Sequence, residues 1–190
     1  WDAADAEAVA GIVAMSAFVT TGQRCSCARR LIVPQGPQGD AIIEAVNAIA
    51  GRLTYAAWNS TPEPFGGPLI SVRAAQGARL ALQARIDAGA QVIRASERIE
   101  GLSDAFVTPA IIDVTGVEVP DEEIFAPFLS ITRVATFDDA IRVANATRYG
   151  LSAGLVSDDP KNWDRFRNRV RAGGRNFNRP ATRAAGAMPL

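Results

Sequence analysis

The chain has 190 residues, with 20 basic and 20 acidic side chains and a formal net charge of zero. That length suits one domain, or one with a small appendage, and can bury roughly 70% of its unfolded surface. Zero net charge argues against nucleic acid or an anionic membrane surface as the main partner, and no apolar run reaches the ~18 residues of a membrane span.

The first residues, Trp1-Asp2-Ala3-Ala4-Asp5, have neither the basic-then-apolar order of a signal peptide nor an initiator methionine. The expectation is a cytoplasmic protein, processed or excised from something longer. Residues 2–21 read as a helix, with Asp2 and Asp5 near its positive end and Val9, Ile12, Val13 and Met15 spaced to face a core. Leu31–Val33 is strand-like and stops at Pro34. Gly36–Asp40 leads into a second helix from Ala41 to about Leu53, with Ile42, Val46, Ile49 and Leu53 on one side. Residues 61–68, rich in proline and glycine, form a loop.

Ser71–Ala88 is helical in pattern and stops at Gly89. Residues 91–93, 110–114 and 128–134 are β-like. Phe137–Thr147 is a helix with Asp138 and Asp139 at its start, Ser152–Val156 a strand, and Pro160–Ala172 a helix opened by proline. Arg175–Phe177 is a last short strand, and the chain is irregular from Arg179. Helices alternating with short buried strands predict an α/β fold, an open, twisted, mainly parallel sheet with helices on both faces.

Histidine is absent, which removes serine–histidine triads, cysteine–histidine dyads and histidine-containing zinc sites. The two cysteines, Cys25 and Cys27, cannot make a four-cysteine zinc site, and Cys-x-Cys is too tight for an easy disulfide. No metal is expected. Any nucleophile must work with carboxylates, arginines, backbone amides and water.

Thr20–Arg30 places both cysteines at a helix–strand junction, where α/β proteins put their chemistry. Arg24, Arg29 and Arg30 surround them, and nearby positive charge favours the reactive thiolate. Cys25 is therefore a candidate nucleophile, against the ordinary role of cysteine as a core filler. Cys27 points elsewhere and reads as packing. Pro120–Pro127 carries three consecutive acids and Phe125. It is either a solvated turn or a carboxylate and aromatic pair able to grip a sugar and stack on a ring. Gly173–Pro180 is either a strand end or an aromatic pocket wall. No Gly-x-Gly-x-x-Gly follows a strand and no P-loop occurs. If a dinucleotide is involved, this domain touches only its reactive end.

Taken together, these stretches resemble the NAD(P)-dependent aldehyde dehydrogenases along essentially the whole chain. Thr21-Gly22-Gln23-Arg24-Cys25 is similar to their nucleophile segment, Asp121–Pro127 to their Glu-x-Phe-Gly-Pro cofactor motif, and Asn145–Leu155 to their Asn-x-x-x-Tyr-Gly-Leu segment. Ser16–Cys25, Phe65–Ser71 and Asn176–Pro180 resemble the branch that oxidises succinylglutamate semialdehyde in arginine catabolism. Gly22–Ser26 is also shared with glutamate semialdehyde dehydrogenases.

The resemblance implies that Cys25 attacks the aldehyde, that hydride passes to NAD (NADP stays open), and that water hydrolyses the resulting thioester. It implies that Glu123 binds the nicotinamide ribose and Phe125 packs beside the nicotinamide. Arg24 and Ser26 would meet carboxylates of a small anionic aldehyde, and Phe177 would line the pocket. The backbone N–H at Cys25 would be half of an oxyanion hole.

A homo-oligomer is implied for the full-length form. Residues 1–190 would be the catalytic domain, a fragment without the family's N-terminal NAD-binding domain, general-base glutamate and C-terminal tail. Alone it should turn over little. Ala126 replaces the motif's glycine, adding a methyl at a tight turn, and Gly174-Arg175 should make the last strand weak. A non-catalytic domain of the same fold and a thiol redox sensor are the rival readings.

Overall fold

The computed structural model describes residues 1–182. The helices are α1 (Ala6–Phe18), α2 (Pro37–Ala50), α3 (Val72–Asp87), α4 (Phe137–Asn145) and α5 (Pro160–Arg169). The strands are β1 (Arg30–Pro34), β2 (Gln91–Arg94), β3 (Ala110–Asp113), β4 (Phe128–Val134), β5 (Ser152–Leu155) and β6 (Gly174–Phe177).

The main sheet has the order β1-β4-β3-β2, parallel except for β2, which runs antiparallel to β3. Alternate residues of its strands face opposite layers. Val33, Ile111, Leu129 and Ile131 pack with α1 and α2, whereas Ala110, Ile112 and Phe128 pack with α3. The fold is thus α/β with a mainly parallel sheet covered on both faces.

The sheet is not continuous. β5 and β6 pair in parallel only with each other, and a third cluster joins them to α4 and α5 through Phe137, Ile141, Leu155 and Phe166. The sixth strand forms fully despite Gly174-Arg175, with all four of its residues paired to β5. Arg175 points to solvent and donates Nε–H to the Val170 carbonyl at 3.0 Å, so no charge enters the core. Of the irregular C-terminal stretch, residues 183–190 lie outside the described ones.

The first helix is shorter than its pattern suggests. Asp5 caps it by accepting from the Ala8 N–H at 2.9 Å, which leaves Asp2 outside, bonded to Ser157 and to the Asp158 N–H. Val9 and Val13 are buried, but Met15 is 42% exposed. A step of two residues turns a helix by ~200°, so Met15 lies opposite the Val13 and Ala17 stripe. At the other end the helix stops at Phe18, because Thr20 (φ 52°), Thr21 (φ 55°) and Gly22 (φ 68°) all adopt left-handed backbone. Helix α2 begins earlier than the pattern suggests, with Pro37 in its first turn, where a missing N–H costs nothing.

Candidate active site

The left-handed run ending at Gly22 swings the chain out of α1 and delivers Cys25 into a turn, closed by the Cys27 N–H on the Arg24 carbonyl at 3.0 Å. Two consecutive β-branched residues in this conformation are strained. The strain is held by contacts made elsewhere. Thr21 is buried and its hydroxyl donates to the Gly67 carbonyl at 2.9 Å. Gln23 accepts from the Ile70 N–H at 2.8 Å and donates to the Pro68 carbonyl at 3.2 Å. The Phe65–Ser71 segment is therefore a brace for the cysteine turn.

Cys25 is exposed and Cys27 is buried, both as free thiols. Cys27 Sγ lies 3.7 Å from the Val19 carbonyl, in keeping with a packing role. Arg24 is exposed and Ser26 half-buried on either side of Cys25. A cavity of about 590 Å³ opens beside this turn, with Cys25, Cys27, Arg29 and Glu123 in its wall. It continues between β1 and β5, which both line it.

The loop carrying Glu123 and Phe125 reaches the cysteine turn by backbone contact. An added Cβ on Gly22 would fall 2.1 Å from the Ala126 carbonyl oxygen. Ala126, where the motif has glycine, is fully buried in the α3-side core. Phe125 is 44% exposed and the Glu123 side chain is half-buried. The third motif is tied on through Asp121, which accepts from the Thr147 hydroxyl at 2.7 Å and the Arg148 N–H at 2.8 Å. Those bonds, the Arg148 backbone foremost, hold the Asp121 carboxyl below its usual range.

Sequence reasoning missed Arg29 as a site residue. Its guanidinium donates to the Gly22 carbonyl at 2.6 Å and the Arg24 carbonyl at 2.9 Å. It also lies 4.6 Å over the Phe125 ring and 4.0 Å from a Glu123 carboxylate oxygen. Burial pulls the Arg29 pKa down, opposed by Cys27, Glu123 and Cys25. Neighbouring Arg30 turns away to the Val143 and Ala144 carbonyls, at 3.0 and 2.9 Å, and closes the end of α4. Phe177 is also elsewhere. Its ring stacks on Trp163 at 5.1 Å in the third cluster, not among the residues lining the cavity beside Cys25. Among the described residues no cluster of metal-ligating side chains occurs, and no helix is long and apolar enough to cross a membrane.

The site thus presents an exposed thiol in a braced turn, with Glu123 and Phe125 carried on the neighbouring loop of an α/β scaffold. The aldehyde dehydrogenase family model matches residues 1–190, and the chain belongs to that family. It is 58% identical over its whole length to N-succinylglutamate 5-semialdehyde dehydrogenase 2 of Caulobacter vibrioides, of which it covers 39%. It is 47% identical over its whole length to the N-succinylglutamate 5-semialdehyde dehydrogenase of Salmonella typhimurium, covering 38% of that protein. Among solved structures, an NAD-dependent aldehyde dehydrogenase from Sinorhizobium meliloti superposes with a TM-score of 0.88 at 30% identity, over 100% of this chain and 37% of that one. A Thermus 1-pyrroline-5-carboxylate dehydrogenase with bound NAD gives 0.84 at 32% identity, over 94% of this chain and 34% of that one. The chain thus spans well under half the length of the relatives it matches.

Proposed function

We propose that this chain is the nucleophile-bearing domain of an NAD(P)-dependent semialdehyde dehydrogenase whose substrate is succinylglutamate semialdehyde. The observation that carries this reading is the backbone contact of Gly22 with Ala126, which sets the exposed Cys25 turn against Glu123 and Phe125. The names of the most similar relatives support the substrate. Glutamate semialdehyde is the alternative.

In this reading the Cys25 thiolate adds to the aldehyde carbon and forms a thiohemiacetal. Loss of hydride from that carbon leaves a thioester, and water then cleaves the C–S bond, releasing the carboxylic acid and the thiolate. NAD(P), when bound, supplies the hydride acceptor. The residues present suit it: Phe125 offers an aromatic ring that is 44% exposed and Glu123 a carboxylate only loosely paired with Arg29. Arg24, exposed beside Cys25, would meet a substrate carboxylate, and Ser26 would flank it. Phe177 would serve the pocket only by a rearrangement of its stack on Trp163. Assembly as a homo-oligomer in the cytoplasm belongs to the same proposal, on the strength of the family resemblance alone.

The test is alkylation of the two thiols by iodoacetamide, followed by peptide mass. Cys25 should react well before Cys27, and succinylglutamate semialdehyde should protect it better than an uncharged aldehyde of similar length. Equal sluggishness of both thiols would favour a packing domain. Protection by neutral and anionic aldehydes alike would remove the substrate assignment.

A further inference from the structure

Arg29 joins parts of the site that no local sequence pattern connects. Its side chain is only 13% exposed, and a guanidinium has five N–H donors in a planar fork. The two terminal nitrogens hold the Gly22 and Arg24 carbonyls, which bracket Gln23, two residues before Cys25. Its face covers the Phe125 ring. Its Nε–H is buried with no hydrogen-bond partner and stands 4.0 Å from the Glu123 carboxylate, too far for a hydrogen bond. A buried cation with an unpaired donor is costly. Plain packing of this junction would be served better by an apolar side chain, so a charged fork at this position calls for a reason beyond packing.

We propose that Arg29 is a positioning residue that locks the Cys25 turn to the Glu123–Phe125 loop, so that the thiol and the cofactor motif move as one unit. The proposal rests on the reading of Cys25 as the nucleophile for its consequence, though not for its geometry. Lysine cannot replace the fork: it is a point charge that cannot hold two carbonyls and lie flat on a ring at once. Around Arg29 the charged and titratable groups are Cys25 and Cys27 on its own segment and Glu123 on the facing loop.

Hydrogen exchange of the chain, in wild type, Arg29→Gln and Arg29→Lys, tests this. Both variants should speed amide exchange about tenfold in residues 22–26 and 121–126 together, with α5 unchanged. Faster exchange confined to residues 22–26, or in neither segment, would overturn the proposal. So would exchange in α5 that rises as much as in these two segments, the mark of a general loss of stability. If Arg29→Gln does not fold, exchange in Arg29→Lys decides alone. The wild-type preference of iodoacetamide for Cys25 over Cys27 tests the nucleophile reading separately, because it involves no change at Arg29.

Discussion

Gly22 and Ala126 meet backbone to backbone: a Cβ on Gly22 would lie 2.1 Å from the Ala126 carbonyl oxygen and 2.9 Å from the Pro127 nitrogen. Gly22 also has φ +68°, a conformation in which a side chain is strained. The substitution Gly22→Ala therefore meets two costs at once, backbone strain of about 1–3 kcal/mol and a similar overpacking term. A fall in the urea midpoint equivalent to about 2–6 kcal/mol is expected. Gly77→Ala is the control. It lies inside α3 with open space around it, and should be neutral or stabilising by up to about 1 kcal/mol.

Gln23 bridges the cysteine turn to Pro68 and Ile70 with one amide group. Gln23→Ala removes both bonds while leaving the Ile70 N–H to solvent. The expected loss is about 1 kcal/mol of local stability, read as about fivefold faster exchange at the Ile70 amide. Exchange at Ile112, in the centre of the sheet, should not move.

Ala126→Gly restores the residue of the family motif, yet it should destabilise this protein. The methyl is wholly buried against the α3-side core. Its removal forfeits about 0.8 kcal/mol of burial and adds about 0.5–1 kcal/mol of backbone entropy. Thermal denaturation should register the loss. A gain in stability would mean that Ala126 strains its turn.

Acid should weaken the fold through Asp113, at the end of β3. Burial disfavours its charged form, but bonds from Thr115 and from Arg133 (Nε at 2.7 Å) more than offset that and hold its carboxyl below the ordinary range. A lowered folded-state pKa gives stability that is fully present above the unfolded value of about 3.9 and is lost as pH falls through the folded value. Asp113→Asn should cost about 2 kcal/mol at neutral pH and flatten the acid side of the stability profile. A variant whose profile keeps the wild-type slope below pH ~4 would remove Asp113 as the cause.

Much of the scaffold was legible because its signals are local. The strands Ala110–Asp113 and Phe128–Val134 each begin directly after a proline and are rich in apolar and β-branched residues, and α4 announces itself by Asp138 and Asp139 in its first turn. The end of α1 was not legible. No proline or glycine stands between the alanine-rich helix and Gly22 to mark a stop at Phe18, and Gly67, Pro68 and Ile70, distant in the chain, hold the left-handed residues after it. Met15 was misplaced because four apolar residues spread over two helical stripes look like one.

By itself the sequence determined the order of helices and strands, the two layers that cover the sheet and the three motifs that mark the family. Each of these depends on periodicity or spacing within one stretch of chain. Tertiary structure decided which cysteine is exposed, that the sheet divides between β1 and β5, and where each arginine goes. Arg29 and Arg30 are adjacent and chemically identical, yet one bridges the Cys25 turn to Glu123 and Phe125 while the other closes α4. A long cationic side chain goes to whichever carbonyls and carboxylates the fold brings within reach, and those partners are set by packing between distant segments.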